Sequence, residues 1–408
     1  MTFRAYRPDE DRAAVEAVWR EVGWIDPEGD AEALGVFLES GRTVVAEVDG
    51  RAECVVNTDP GTLRYLDEEI QISCITGVTT SRIVRKRGLA SRLTAHALAT
   101  DAADGALLAA LGAFEQGFYN QLGFGNGSYA HSCTFDPAQL TIEVDPRTPR
   151  RLTPDDWETV HRSRLARHRP HGGVNVLSPE ITRAEMMWSE NGFGLGYADE
   201  AGELTHHLWF SAKELEDGPY HVDWTAYRTR EQFLELLALI RSLGDQVRSI
   251  RMSEPGNIQL QDLLREPFRM RKITRESPHE HRLTASAYWQ ARILDLPACI
   301  ERTHLDGGPL AFNLALEDPI ADRLPEAGWR GTGGEYMVTL GPESSAVRGA
   351  APSLPTLRAS IGAFTRIWLG VRPATSLSWT DDLSGTPDLL AALDRVLNVP
   401  APSPDWDF

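Results

Sequence analysis

Residues 78–90 read Val78-Thr79-Thr80-Ser81-Arg82-Ile83-Val84-Arg85-Lys86-Arg87-Gly88-Leu89-Ala90. Residues 70–79 upstream have the pattern of a strand, and residues 88–102 downstream that of a long helix. The stretch is therefore a turn from strand into helix. Residues 85–90 fit Arg/Gln-x-x-Gly-x-Gly/Ala. Free N–H groups at a helix start point at an anion, and the dipole adds roughly half a positive charge. Gly88 and Ala90 keep side chains out of the way, and Arg85, Lys86 and Arg87 supply charge. This chemistry suits a pyrophosphate. It is not a nucleotide P-loop, because Gly-Lys-Ser/Thr is missing.

Before the turn, Pro8 opens a helix whose stripe is Val15, Val18 and Trp19, and a loop with Trp24 and Asp26 leads to a short helix with Leu34, Phe37 and Leu38. Asp49-Gly50 between residues 43–48 and 52–57 signals a hairpin. After the turn, residues 106–111 are continuously apolar, as in a strand covered on both faces. The polar, proline-containing residues 145–150 read as a linker. Residues 220–226, 230–243 and 247–252 form a second strand–helix–strand unit, and a last block begins near Tyr288 with alternating strands and helical patterns at 354–368 and 387–397. The expectation is a mixed α/β (α+β) chain in three blocks, 1–147, 148–287 and 288–408, since 408 residues exceed a single core.

A net charge of −18 argues against nucleic acid and favours cationic ligands. No stretch is long and apolar enough for a membrane span, and no signal peptide opens the chain, so a cytoplasmic location is expected. The four cysteines, Cys54, Cys74, Cys133 and Cys299, are too scattered for a disulfide framework or zinc site. His206-His207 and His279-Glu280-His281 do not have the spacing of a zinc-protease helix, and no metal is expected.

A second motif, Gly117-Phe118-Tyr119-Asn120-Gln121-Leu122-Gly123-Phe124, ends in Tyr-x-x-x-Gly-Phe. With residues 85–90 it resembles the GNAT acetyltransferases, which use acetyl-CoA. The resemblance implies pantetheine contacts from Val78, Thr79 and Thr80. It implies a pyrophosphate loop from Arg85 and Lys86 through Arg87, Gly88, Leu89 and Ala90 to Ser91, and further cofactor contacts at Phe114 and Glu115.

More narrowly, the length, the block order and the acid-Phe ending, Asp407-Phe408, resemble the Eis (enhanced intracellular survival) family, which acetylates aminoglycosides and polyamines. That likeness implies two tandem GNAT-like domains, the second without the Gly motif, and a sterol-carrier-protein-like last domain. It also implies a trimer-of-dimers homohexamer and a terminal carboxylate that enters the active site as base. Two departures are Asp407 where relatives carry glutamate, and Gly77 where they carry a bulkier residue.

The chemistry has its own logic. An alkylamine with a pKa near 10 must lose a proton before attacking a thioester, and the departing thiolate must gain one. Tyr119 suits the second task. Phe408 offers a terminal carboxylate for the first, on a tail stiffened by Pro400, Pro402 and Pro404. Glu69 and Glu115 are the alternative bases. Trp24, Asp26, Phe37 and Asp407 are candidates for binding the amine, because a cation wants an aromatic face and a carboxylate. Acetylation of protein lysines or N-termini, or non-catalytic acyl-CoA or lipid binding, are the other readings.

Overall fold

The structure is a computed structural model that describes residues 1–26, 31–113, 115–267, 276–326 and 328–407. The first unit runs β1 (Thr2–Ala5), α1 (Pro8–Val22), α2 (Ala31–Leu38), β2 (Arg42–Val48), β3 (Arg51–Tyr65), β4 (Glu68–Thr80), α3 (Leu89–Ala103), β5 (Leu108–Gly112) and β6 (Gly125–Asn126). Asp49 and Gly50 both take positive φ, 50° and 82°, as a primed hairpin turn between β2 and β3 requires. β5 is buried from Leu108 to Leu111, so its unbroken apolar run reflects layers on both faces.

The second unit contains β7 (Ala130–Phe135), β8 (Arg150–Leu152), α4 (Trp157–Leu165), β9 (Val174–Val176), α5 (Pro179–Trp188), β10 (Phe193–Ala198), β11 (Leu204–Ser211), β12 (Tyr220–Ala226), α6 (Arg230–Ser242), β13 (Ile250–Ser253) and β14 (Arg282–Ser286). Its sheet has the order β14-β7-β13-β12-β11-β10-β8. β12 and β13 are parallel and joined by α6, the same arrangement as β4, α3 and β5.

The third unit follows as β15 (Trp289–Ile293), α7 (Leu296–Glu301), β16 (Leu310–Glu317), β17 (Gly334–Leu340), β18 (Ser345–Arg348), β19 (Thr356–Ser360), α8 (Ile361–Trp368), α9 (Ala374–Leu377), β20 (Leu383–Ser384) and α10 (Pro387–Val396). Its sheet is β18-β17-β16-β19-β20. The helix expected over 354–368 starts only at Ile361. Residues before it form β19, and the Ser360 side chain caps the helix by accepting from the Ala363 N–H.

Strands cross the expected block boundaries. The first sheet has the order β1-β2-β3-β4-β5-β15-β6, with β9 paired to β3, so β15 and β9 come to it from later in the chain. β7 lies before position 147 yet belongs to the second sheet. Residues 145–150 are a surface connector held on the second unit, where Arg147 pairs with Glu235 at 2.8 Å and its carbonyl accepts from Tyr197.

Candidate active site

β4 and β5 pair from Ile72–Leu108 to Ile75–Leu111 and then separate. β4 continues to Thr80, while Gly112 pairs with Trp289 of β15. An opening between two parallel strands results. On its other edge β4 stays with β3, and the Ser81 N–H donates to the Glu53 carbonyl at 2.9 Å. N–H groups alternate along an antiparallel ladder. Ser81 and Thr79 therefore point theirs at β3, and Thr80 and Val78 turn theirs into the opening.

Gly77 has a different role from the one its small size suggests. β4 carries one extra residue where Val55 pairs with Thr79 and Asn57 with Thr76. Gly77 absorbs this bulge with φ +62°, and a Cβ there would stand 2.9 Å from Phe37 Cε1 and 3.3 Å from Trp19 Cζ2. The glycine thus lets two aromatic rings close on the strand. Phe37 and Trp19 lie 5.3 Å apart between ring centroids, and Trp188 of α5 stacks on Trp19 at 6.1 Å. Trp24 meets Trp19 edge-on at 5.1 Å and stays partly exposed, and Asp26 is exposed two residues later. The indole N–H groups of Trp19 and Trp188, with Thr79 Oγ1 and Ser81 Oγ, are buried without hydrogen-bond partners among the described residues.

The start of α3 fits a pyrophosphate. Gly88 takes the cap position with φ 71°, and no side chain caps the helix. The first turn holds no acid, and the backbone ladder begins with Arg92 N–H to the Gly88 carbonyl. The N–H groups of Leu89, Ala90 and Ser91 are left for a ligand. Arg85, Lys86 and Arg87 are exposed, and none of them makes an ion pair among the described residues. The cap of α6 is different. Thr229 Oγ1 accepts from the Gln232 N–H, and Glu231 stands in the first turn. A capped, acidic helix start disfavours an anion.

Tyr119 lies in a single 3₁₀ turn, Tyr119–Leu122, closed by Gly123 in the left-handed conformation. Its ring packs edge-on against Phe118 at 4.8 Å. It is 6% exposed, and its hydroxyl has no hydrogen-bond partner among the described residues. Burial raises the phenol above its ordinary value of 10, and the charges of Cys54 and Glu115 act in the same direction. Tyr119 therefore holds its proton throughout the neutral range. Cys54 stands opposite Thr80 on β3, and Thr80 Oγ1 is 3.2 Å from its sulfur, which puts the phenol beside the open end of β4.

The tail is not frayed. The Val174 N–H donates to the Pro404 carbonyl at 2.8 Å, and Arg167 grips Asp405 with two hydrogen bonds of 3.1 and 2.8 Å. Trp406 is buried, and its indole donates to Glu185 at 3.1 Å. Next along, Asp407 faces the Tyr288 hydroxyl and contributes, after burial, to raising it. The Tyr288 carbonyl accepts from the Ala113 N–H at 2.5 Å, at the end of β5. The penultimate residue thus stands beside Tyr288 and lines a cavity with Arg164, Glu185 and Asp223. Phe114 and Phe408 lie outside the described residues.

Glu115 is exposed in the loop after β5, near this opening. Glu69 is at the start of β4, paired with Arg169. Eight residues of strand, roughly 26 Å, separate it from Gly77, too far for a base. The conspicuous histidines serve packing: His206 meets Glu235 at 3.1 Å, His207 accepts from Trp224 at 3.0 Å, and His281 accepts from the Asp136 N–H at 3.0 Å. Among the described residues no group of three or more His, Cys, Asp or Glu could hold a metal, and no helix is long and apolar enough to cross a membrane. Sequence reads Trp19 only as part of a helix stripe and Tyr288 only as the start of the last block, and does not single out Trp188. Their part depends on pairings between distant elements.

Known proteins agree with this geometry. Residues 4–127 match the family described as the acetyltransferase (GNAT) domain. An uncharacterized N-acetyltransferase of Streptomyces avermitilis is 24% identical over 372 residues, covering 84% of this chain and 82% of that protein. Among solved structures, a probable N-acyltransferase of unknown function from Enterococcus faecalis V583 superposes with a TM-score of 0.80 at 19% identity, over 100% of this chain and 99% of that one. Eis1 from Mycobacterium abscessus gives 0.76 at 16% identity, over 100% of both chains. The separating parallel strands, the bare glycine cap of α3, the protonated Tyr119 and the family match together identify residues 4–127 as a GNAT acetyltransferase domain and the protein as an acetyltransferase.

Proposed function

We propose that the protein transfers the acetyl group of acetyl-CoA to an amine of a cationic small molecule, of the polyamine or aminoglycoside kind. The observation that carries this reading is the course of the tail, which brings Asp407 to Tyr288, whose carbonyl accepts from the Ala113 N–H just past β5. The terminal carboxylate of Phe408, one residue on, is the base. A free α-carboxylate has a pKa of about 3.5 and is a weak base. It serves as base where desolvation raises it or a water relays the proton.

Acetyl-CoA, when bound, supplies the activated acetyl thioester. Val78 and Thr80 orient its pantetheine arm through their N–H groups, and the start of α3 with Arg85, Lys86 and Arg87 holds its pyrophosphate. Tyr119 donates its proton to the departing sulfur. The amine lies against Trp24, Phe37 and Trp19 on the α1–α2 side, with Asp26 and Asp407 compensating its charge. A cavity of about 880 Å³ beside the tail has Glu190, Asp223, Glu254 and Arg164 in its lining, and the net charge of −18 favours a cationic rather than an anionic substrate. The chain assembles as a homohexamer, a trimer of dimers.

An acetylation assay over a panel of amines, detecting free thiol, tests the reading. Spermidine-like and aminoglycoside amines should react at least tenfold faster than peptide N-termini or lysine peptides. Equal or reversed rates would remove the cationic small molecule as substrate. Adding one Gly after Phe408 moves the carboxylate by about 3.5 Å and should abolish most activity at an unchanged acetyl-CoA affinity. Light scattering at the monomer mass of 45.2 kDa would exclude the hexamer.

A further inference from the structure

The second unit has an opening of its own. β12 pairs with β13 only from Tyr220–Ile250 to Val222–Met252 and then runs on to Ala226, while the chain after β13 leaves at Pro255 and Gly256. This is the arrangement that in the first unit admits the cofactor arm. Here the capped start of α6 bars a pyrophosphate, and residues 401–407 of the tail lie across the opening instead.

The contacts are specific. Ser128 Oγ donates to the Pro402 carbonyl, and the Ser403 N–H donates to the His171 carbonyl at 2.9 Å. A Cβ on Gly172 would meet Pro402 Cβ at 2.4 Å, so a glycine is needed where the tail passes. Beyond the Arg167–Asp405 pair, the guanidinium of Arg164 stands 3.7 Å from the Trp406 ring centroid and 4.2 Å from that of Trp224. One cation is thus sandwiched between a tail indole and a β12 indole. Glu185 neutralises it and also accepts from the Trp406 N–H.

We infer that the opening of the second unit is a receptor for the C-terminal tail, and that Arg164, Arg167 and Trp224 are positioning residues that set where the chain end stands at the acetyl site. The inference rests on the reading of the terminal carboxylate as base. It gives the second unit a task that needs no cofactor. Burial of Trp406 fixes the tail two residues before its end, and whatever shifts Trp406 shifts the carboxylate. Because a misplacement of about 1 Å can cost roughly a hundredfold in a positioned reaction, loosening this receptor should be felt in kcat before it is felt in substrate binding.

The test uses the full chain with Arg167→Met, and with Asp405→Asn and Trp406→Leu in case the buried arginine is needed for folding. Hydrogen exchange of residues 401–407, kcat, KM for the amine and acetyl-CoA affinity are measured on each. Expected are exchange in the tail at least tenfold faster than in the parent, kcat lower by at least tenfold, and acetyl-CoA affinity within twofold. Restoring the pair in reverse, Arg167→Asp with Asp405→Arg, should recover part of both tail protection and kcat. Parent-level tail protection in all three variants would overturn the receptor. A freed tail with parent-level kcat would leave the receptor standing and overturn the terminal carboxylate as base.

Discussion

Gly88→Asp separates what the glycine does for the fold from what it does for the ligand. Gly88 has φ +71°, and a Cβ there would meet only Ser91 Oγ at 3.9 Å. The fold therefore pays only for the left-handed backbone, about 1 kcal/mol for a residue such as Asp that tolerates it. In domains of this size that is a loss of roughly 2–4 °C in Tm. The effect on acetyl-CoA is larger. The helix start offers about half a positive charge, which a carboxylate reverses. Placed about 5 Å from a pyrophosphate of about two negative charges, it adds roughly 2 kcal/mol of repulsion even at the dielectric of water. The dissociation constant measured by calorimetry should rise about 30-fold or more. Gly88→Asn has the same shape and backbone tolerance without the charge, so it should match the Tm loss while weakening binding much less. The gap between the two should narrow in high salt. Equal affinities for the Asp and Asn variants would refute the placement of the pyrophosphate at the start of α3.

Tyr119→Phe should lower kcat by about 10²-fold, the usual scale for an acid group, at nearly unchanged acetyl-CoA affinity; because burial raises the phenol above 10, the parent's kcat should show no alkaline decline from this group below pH 10, and a decline at pH 8–9 that Tyr119→Phe removes would contradict the assignment. Gly77→Ala must adopt φ +62° and push a Cβ to 2.9 Å from Phe37, so thermal unfolding should report about 2–4 kcal/mol of destabilisation from strain and overpacking; a change under about 0.5 kcal/mol would show that the bulge relaxes. Asp59 is 1% exposed and raised by burial from 3.8 to about 6, so its folded state binds the proton more tightly and stability is lost as pH rises through that window. Asp59→Asn should accordingly stabilise by about 1–3 kcal/mol at pH 8 and not at pH 4, and equal effects at the two pH values would count against a buried charge.

Local chemistry made the turn from β4 into α3 readable. A glycine cap, three cations and a following helix are all within seven residues, and in the structure Gly88 caps α3 with the three cations exposed before it. The hairpin at Asp49-Gly50 was legible for the same reason, since the turn depends only on its own two residues. Gly77 was not. Seen in sequence it is a small residue before a contact strand, but its requirement comes from a register slip against β3 and from Phe37 closing on it, neither of which is local. Residues 145–150 misled through composition, because a surface connector within one unit has the same prolines and charges as a linker between units. β15 shows the limit most clearly. The sequence marks only the start of a block near Tyr288, and Trp289 to Ile293 joins the first sheet because it fills the gap between β5 and β6.

The position of the tail's last fixed point decides whether a chain end can act as a base. A terminus is the freest part of most chains, and each unfixed residue adds up to about 3.5 Å of reach. Held only at Pro402, the carboxylate could wander over six residues. The Arg167–Asp405 pair and the burial of Trp406 bring the last fixed point to within two residues of the end, and the Tyr288–Asp407 contact to within one. Tyr288 takes its own position from the Ala113 N–H at the end of β5. The same strand end thus locates both the opening between β4 and β5 and the group that holds Asp407. A displacement of β5 is therefore passed on to Tyr288, whereas the tail's other holds, Arg167 just after α4, Val174 of β9 and Glu185 of α5, keep Asp405 and Trp406 in place independently of it.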